Sequence, residues 1–264
     1  MGIIRFRSGP WVRVCKQKLG AVLNSSTGLT CMLSIHRGLL SISLFLTGSY
    51  DNMVRIYNES LELLQTVGGH SAPVSDASWI PASASVPTSR FLTSSYDTTA
   101  RIYSYDTVEN DTPVALASLR LHTRPISSIH PNPSGELALT AGWDSLIGLW
   151  TLTIPENHEV VAQDELSASR KRRKLGEGNK TSPSAVEPEV VRKAPAYVLK
   201  SHTGRVSKAL FDTKRQNEAW SAGWDCTVRK WDVETGVCTE TVVSNKPNSV
   251  SLLHRFCRRR RRGS

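Results

Sequence analysis

The sequence lacks the features that mark several large classes of protein. Its five cysteines stand singly, and no two of them have the close spacing that holds zinc. This usage argues against a disulfide-stabilised secreted domain and favours a reducing compartment. The apolar run Leu39–Leu46 is shorter than the roughly 20 residues that span a bilayer, and its alternation over residues 40–44 predicts a half-buried strand. We therefore expect no membrane segment.

Signatures of catalysis and of cofactor binding are also missing. There is no glycine-rich phosphate loop, and no two histidines are four residues apart. His202, Ser221 and Asp225 could be drawn as a hydrolase triad, but the trio recurs in the preceding repeat with threonine in place of serine. An active site needs one asymmetric pocket and one nucleophile, and no G-x-S-x-G sequence surrounds Ser221. We therefore predict no catalytic residue, no metal site, no cofactor and no enzymatic activity.

The net charge of +10 comes from two short basic clusters. Five cations in residues 170–174 and six in Arg255 and Arg258–Arg262 together exceed that net charge, so the rest of the chain is about neutral. Charge confined in this way favours an address label or an interaction tail over a basic binding face. We predict a nuclear-import signal in the first cluster, which consists of Arg170, Lys171, Arg172, Arg173 and Lys174. The alternatives are a solvated charge run and contact with ribosomal RNA.

Four segments of the sequence repeat one pattern. They read GSYDNMVRIY (48–57), SSYDTTARIY (94–103), AGWDSLIGLW (141–150) and AGWDCTVRKW (222–231). Their aspartates are 46, 47 and 81 residues apart, and the first two intervals have the length of one propeller blade. Each motif predicts a strand, a tight turn at the aspartate and a second strand that ends in an aromatic residue. The predicted fold is all-β, with about four recognisable blades of a β-propeller.

The repeat unit resembles that of WD-repeat (WD40) proteins. In those proteins a histidine, a hydroxyl, an aspartate and a tryptophan form a buried hydrogen-bond chain that ties each blade together. The resemblance implies three such sets here: His122, Thr140, Asp144 and Trp150; His202, Ser221, Asp225 and Trp231; and His70, Thr93, Asp97 and Tyr103. The last set departs from the pattern because tyrosine replaces tryptophan.

Composition divides the chain into five segments. We predict an irregular N-terminal segment (1–44), blades (45–154), a disordered basic insert (155–195), one or more further blades (196–250) and an arginine-rich tail (251–264). The insert is rich in polar residues and proline and nearly free of aromatics, so it cannot bury enough apolar surface to fold. Propellers close with about four to eight blades, and the family that these blade sequences resemble has seven. We therefore expect an open arc, truncated at both ends and poorly soluble when expressed alone.

The blade sequences together resemble one family. FLTGSYDNMVRIYN, the segment AYVLKSHTGRVSKALF after the basic insert, and SAGWDCTVRKWDVETG followed by SNKP are similar to the ribosome-biogenesis WD-repeat subunit of the pescadillo–block-of-proliferation complex, over about residues 45–250. The resemblance implies a scaffold of the nucleolus and nucleoplasm that is required for maturation of large-subunit ribosomal RNA and for assembly of that subunit. The implied partners are the block-of-proliferation WD-repeat scaffold, pescadillo and the pre-ribosomal large-subunit particle.

One property of that family is not carried over. Its members engage the ATPase midasin through an N-terminal ubiquitin-like domain, and residues 1–44 are too short and irregular for that domain. Two alternative functions stay open at this point. They are a generic nuclear WD-repeat adaptor for other proteins and a propeller that contacts RNA directly.

Overall fold

The computed structural model describes residues 34–37, 43–81, 89–106, 111–159, 190–212, 215 and 217–244. Within these ranges the regular structure is entirely β, arranged as four sheets that follow one another along the chain. This arrangement confirms the predicted partial propeller. In the same ranges, no helix has the length and apolar character needed to cross a membrane.

Each sheet is one blade, built mainly from antiparallel neighbours in sequence order. The first blade contains β1 (Ser34–Arg37), β2 (Ser43–Gly48), β3 (Val54–Tyr57) and β4 (Leu63–Val67). The second contains β5 (Val74–Trp79), β6 (Ser89–Ser95), β7 (Thr99–Tyr105) and β8 (Val114–Arg120). The third contains β9 (Ile126–Pro131), β10 (Leu137–Gly142), β11 (Leu146–Thr151) and, beyond the insert, β13 (Tyr197–Lys200). The fourth contains β14 (Val206–Phe211), β15 (Glu218–Gly223), β16 (Thr227–Asp232) and β17 (Cys238–Val243).

A tight turn joins the second and third strands of every blade. The turn aspartate accepts a hydrogen bond from the backbone N–H two residues later in all four blades, as Asp144 does from Leu146 at 3.2 Å. The residue between them is left-handed, with φ of 70° at Asn52, 72° at Thr98, 69° at Ser145 and 61° at Cys226. Asparagine tolerates this conformation, whereas β-branched threonine rarely adopts it. The hydrogen bond to the aspartate thus stabilises a left-handed conformation that most of the residues at this position do not favour by themselves.

Apolar side chains fill the spaces between adjacent blades. Leu46 and Ile56 of the first blade pack with Trp79 and Phe91 of the second. The second blade packs on the third through a cluster that includes Trp150, and the third packs on the fourth through another cluster. Because each interface is shared by two sheets, much of a blade's stability comes from its neighbour.

The first strands of adjacent blades contact one another and therefore lie nearest the propeller axis. Asp76 of β5 reaches out of its own blade, and its carboxylate accepts a hydrogen bond from the Ile129 N–H of β9 at 3.2 Å. The Lys208 ammonium of β14 lies 3.8 Å from the same carboxylate. The Asp76 side chain is 4% exposed, so a buried carboxylate joins three consecutive blades.

The structure differs from the predicted segment boundaries at the start of the first blade. β1 lies within the segment predicted to be irregular, and it pairs with β2 so that Ile35 is opposite Phe45. The strand expected around residues 40–44 begins at Ser43, and Leu44, Phe45 and Leu46 are all buried rather than alternately exposed. β2 is an inner strand of its sheet and its consecutive side chains are buried on both faces, whereas alternation describes a sheet with one wet face.

The predicted insert is also ordered at its two ends. Residues 191–193 form β12 (Val191–Lys193), which pairs in parallel with the outer strand β8 of the second blade. The Glu159 N–H donates to the Arg192 carbonyl at 2.8 Å, and the Ala194 N–H donates to the Glu159 carboxylate at 2.8 Å. The boundaries 155–195 are therefore too wide, because residues 191–193 can pair with an open sheet edge. The cluster Arg170–Lys174 and the tail 251–264 lie outside the described residues.

Candidate functional site

The structure brings together the four predicted side chains of the third blade. His122 Nδ1 lies 3.0 and 3.1 Å from the two carboxylate oxygens of Asp144, and its Nε2 lies 2.9 Å from Thr140 Oγ1. Trp150 Nε1 donates to the same hydroxyl at 2.9 Å. His122, Thr140 and Trp150 are buried, so this chain of hydrogen bonds ties β10 and β11 to the loop before β9, away from solvent.

The fourth blade repeats the arrangement with serine as the hydroxyl. His202 lies 2.8 Å from Asp225 through Nδ1 and 2.7 Å from Ser221 through Nε2, and Trp231 Nε1 donates to Ser221 Oγ at 2.8 Å. Thr227 adds a hydrogen bond from its hydroxyl to Asp225 at 2.8 Å. The third and fourth blades thus contain the same network built from equivalent strands.

The second blade contains an incomplete form of the network. His70 joins Asp97 and Thr93 at 2.8 Å each, but Tyr103 does not reach the threonine. Its hydroxyl donates to the Gly68 carbonyl at 3.3 Å, and its ring stacks on Phe91 with centroids 5.0 Å apart. An indole N–H lies at the side of its ring, whereas a phenol oxygen lies at the far end, so the tyrosine hydroxyl passes beyond Thr93.

The first blade binds its turn aspartate differently. Asp51 pairs with Arg55 of β3 and is partly exposed, and the hydrogen bond from Arg55 is the main cause that lowers the pKa of Asp51. In the described residues, the buried Thr47 hydroxyl, which is equivalent to Thr140, has no hydrogen-bond partner. The first blade is therefore held by surface ion pairing and packing rather than by a buried network.

The hydrogen-bond partners in these networks fix the histidine tautomer. The ionised Asp225 carboxylate can only accept, so His202 carries a proton on Nδ1 and donates it to Asp225. In the neutral imidazole, Nε2 then accepts from the Ser221 hydroxyl, whose oxygen also accepts the indole N–H of Trp231. Burial lowers the pKa of His202, which favours this neutral form.

The turn carboxylates are ionised partners of the histidines. Burial by itself would raise the pKa of Asp144, but hydrogen bonds from His122 and from the Thr123 and Leu146 N–H groups outweigh that effect, and the pKa is lowered. The pKa of Asp97 and of Asp225 is lowered against the same opposing effect of burial. Negative charge at the turn therefore stabilises the folded blade at neutral pH.

The same geometry argues against a hydrolase triad. Histidine, serine and aspartate in the fourth blade are spaced as a triad would be, but Ser221 is 0% exposed. Its oxygen already accepts the indole N–H of Trp231, so no substrate carbonyl can approach it. Glycine at position 223 is required for packing here, because an added Cβ would lie 2.6 Å from Asp225 Oδ1. In the described part of the chain, no group of three or more potential ligands is placed to hold a metal ion.

Sequence reasoning missed a row of aromatic residues immediately before the turn aspartates. Tyr50, Tyr96 and Trp143 lie in adjacent blades, with ring centroids 6.4 Å apart for the first pair and 5.4 Å apart for the second. Trp224 holds the equivalent position in the fourth blade. The signal was visible in the four repeat motifs, where the position before the aspartate is always aromatic.

Comparison with known families and proteins places this chain among repeat proteins. The family model described as WD domain, G-beta repeat, matches residues 27–58, 61–104, 114–151 and 193–232. Each of the last three matches begins with the outer strand of one blade and continues through the first three strands of the next. The chain is 41% identical over 218 residues to a ribosome biogenesis protein YTM1 of Laccaria bicolor, covering 77% of this chain and 45% of that relative. It is also 41% identical over 225 residues to the protein of that name in Coprinopsis cinerea, covering 84% and 48%.

A more distant relative has a related name. A ribosome biogenesis protein WDR12 homolog of Nematostella vectensis is 29% identical over 202 residues, covering 76% of this chain and 45% of that relative. These relatives confirm the resemblance that the blade sequences indicate. The chain spans about half the length of the curated relatives that it matches.

Proposed function

The chain belongs to the WD40-repeat family, and from that premise we propose that it acts as a non-catalytic scaffold in ribosome biogenesis. In this role it supports maturation of large-subunit ribosomal RNA and assembly of the large subunit. Its proposed partners are the block-of-proliferation WD-repeat scaffold, pescadillo and the pre-ribosomal large-subunit particle. Its proposed location is the nucleolus and the nucleoplasm.

One observation carries this proposal. The 41% identity to a ribosome biogenesis protein extends over 77% of the chain, which is more than the four repeats occupy. Similarity between unrelated WD40 proteins concentrates in the repeat signature, which supports the blades and is unspecific for function. A match that extends beyond the repeats supports a relationship closer than the shared fold alone.

The blade geometry supports a scaffold role rather than a reaction. The histidine, hydroxyl and aspartate side chains that could take part in a reaction are hydrogen-bonded to one another inside the blades, where they hold strands together. What remains available to partners is the outer surface of a rigid sheet array, together with the loops at its two ends. These are the parts of a propeller that bind other macromolecules.

Affinity purification of the tagged 264-residue chain from growing cells tests the proposal. We expect the block-of-proliferation scaffold, pescadillo and large-subunit precursor RNA to be recovered together. Recovery of unrelated nuclear proteins without these partners would support a generic adaptor instead. Recovery of precursor RNA alone, lost steeply as salt is raised, would show a propeller that contacts RNA directly. Either result would overturn the proposal.

The basic cluster Arg170–Lys174 is proposed to direct nuclear import. Replacing its five residues with alanine is expected to move a tandem fluorescent fusion, too large to diffuse freely through the pores, from the nucleus towards the cytoplasm. An import receptor pairs such cations with acidic grooves, so loss of the charge removes the recognition. Imaging of the nuclear fraction measures the effect. The matched control replaces Arg258–Arg262, and a third fusion lacks both clusters. Nuclear accumulation that persists in the third fusion would contradict the proposal.

A further inference from the structure

The residues before the four turn aspartates are all aromatic, and the first three of them contact one another from blade to blade. We call Tyr50, Tyr96, Trp143 and Trp224 the aromatic row. Trp224 is 54% exposed and Tyr50 is 48% exposed, although both belong to turns that polar residues could form equally well. Large exposed aromatic side chains in one surface strip are typical of an interaction site.

The blade networks explain why the row faces outward. In the second, third and fourth blades the turn aspartate is drawn inward by its histidine. The preceding side chain is therefore directed away from the network. Because the turns recur once per blade, the four outward positions are aligned across the arc. The row is consequently a product of the repeat and requires no special local structure.

Two arginines give this strip a positive character. The Arg205 guanidinium carbon lies 4.4 Å from the centroid of the Trp143 ring, a cation–π contact, and the Arg205 carbonyl accepts a hydrogen bond from the Trp224 N–H at 2.8 Å. Arg124 is exposed and follows Thr123, whose N–H binds Asp144. Within the described ranges, neither Arg124 nor Arg205 forms an ion pair with an acidic side chain.

Among the described residues, the nearby carboxylates form no ion pair with these arginines. Asp97, Asp144 and Asp225 have side chains that are 6–7% exposed, and each is paired with a histidine in the turn. Asp51 is more exposed, but it binds Arg55. The accessible chemistry of the strip is therefore aromatic and cationic.

The ring orientations favour a protein partner over single-stranded RNA. Serial base stacking needs several open ring faces with similar orientations. The planes of Tyr50 and Tyr96 are at 79°, those of Tyr96 and Trp143 are at 49°, and Arg205 already covers a face of Trp143. An extended peptide does not need parallel faces, because it can seat apolar side chains between ring edges. Its carboxylates can pair with the guanidinium groups.

We propose that the aromatic row, with Arg124 and Arg205, is the docking surface for an extended acidic segment of a partner protein that carries apolar anchor residues. Tryptophan, tyrosine and arginine are the residue types that contribute most binding energy in protein interfaces, and this surface consists of them. The proposal rests on the geometry of the turns and is independent of a role in ribosome biogenesis.

Selection from a phage-displayed library of random 12-residue peptides, on the immobilised full chain, tests this surface. We expect the selected peptides to be rich in aspartate or glutamate and in apolar residues. Their binding is expected to fall about tenfold or more in Trp224→Ser and in Arg205→Glu. Arg205→Glu is also expected to select peptides that carry lysine.

Tyr197→Ser is the matched control, because Tyr197 is also 48% exposed but lies on β13, away from the row. This variant is expected to bind the selected peptides as the unaltered chain does. Equal thermal unfolding of all the variants shows that only the surface has changed. Selection of no peptide whose binding depends on Trp224 or Arg205 would overturn the proposal. So would Trp224-dependent binding of 12-nucleotide oligouridylate with no such peptide, since the surface would then be an RNA site.

Discussion

Asp144→Ala is expected to lower the free energy of unfolding by about 1.5–3 kcal/mol, the range typical of hydrogen bonds to a charged group. The alanine leaves His122 Nδ1 without its acceptor and also frees the Thr123 and Leu146 N–H groups. His122 is buried, so water cannot fully replace the lost partner. Urea-induced unfolding, monitored by tryptophan fluorescence, measures the change.

Asp51→Ala is the matched control in the first blade. Asp51 occupies the equivalent turn, but its side chain is 31% exposed and it binds Arg55 instead of a histidine. Exposed ion pairs contribute little, so we expect a loss below about 1 kcal/mol. Equal losses in Asp51→Ala and Asp144→Ala would show that the turn alone matters. The buried network would then have no special stabilising role.

The difference between Asp144→Ala and the unaltered chain should depend on pH. The pKa of Asp144 in the folded protein is below its ordinary value of 3.8, so its contribution is present above that value. It is lost as the pH falls through the folded-state pKa, where the carboxylate is protonated in both states. The destabilisation should therefore be constant from neutral pH to about pH 4 and should shrink below it.

The repeat pattern predicted the elements that local chemistry determines. The aspartate, the aromatic six residues later and the upstream histidine recur at nearly fixed spacing, and the resemblance to WD-repeat proteins implied that they form the networks now seen in the third and fourth blades. Such spacing is informative because a tight turn fixes which residues of two paired strands are opposite each other. Thr140 and Gly148, for example, are opposite each other in the pairing of β10 with β11.

The features that depend on distant parts of the chain were not predictable. Nothing near Tyr103 in the sequence shows that its hydroxyl binds Gly68, 35 residues earlier. Likewise, Val191–Lys193 joins the second blade although it follows the third, and local composition gives no sign of that choice. The aromatic row was visible in the repeats, but its character as one surface depends on how adjacent blades are placed.

The charged residues near the propeller axis are another feature that depends on distant parts of the chain. Lys208→Met is expected to lower the free energy of unfolding by about 3–5 kcal/mol at pH 7, because it leaves a buried carboxylate without its cation. Among the described residues, Asp76 then keeps backbone donors such as the Ile129 N–H. Burial already raises the pKa of Asp76 and Lys208 opposes that rise, so the variant should raise it further.

Two controls separate this effect from loss of the lysine side chain itself. Lys230→Met removes a lysine that is also 14% exposed, but its partner Glu218 keeps Arg215, so we expect a loss below about 1 kcal/mol. Adding Asp76→Asn to Lys208→Met should recover most of the stability, because a neutral amide can accept the Ile129 N–H without a buried charge. No recovery in the double variant would contradict this account.

The destabilisations by Lys208→Met and by Asp144→Ala should both decrease as the pH falls, but over different pH ranges. The pKa of Asp76 is raised in the folded protein, so its favourable contribution is complete below the unfolded value of 3.8 and is lost as the pH rises through the folded value. The destabilisation by Lys208→Met should therefore be largest at neutral pH. As the pH falls, it should begin to decrease above pH 4, where the destabilisation by Asp144→Ala is still constant.

Because Asp76 joins three blades, the loss of Lys208 should lower the midpoint of one cooperative transition rather than unfold one blade separately. Unfolding curves at several pH values, followed by fluorescence and by circular dichroism, measure both effects. A destabilisation independent of pH would show that Lys208 acts through packing, and two separate transitions would show that the axial ion pair does not couple the blades.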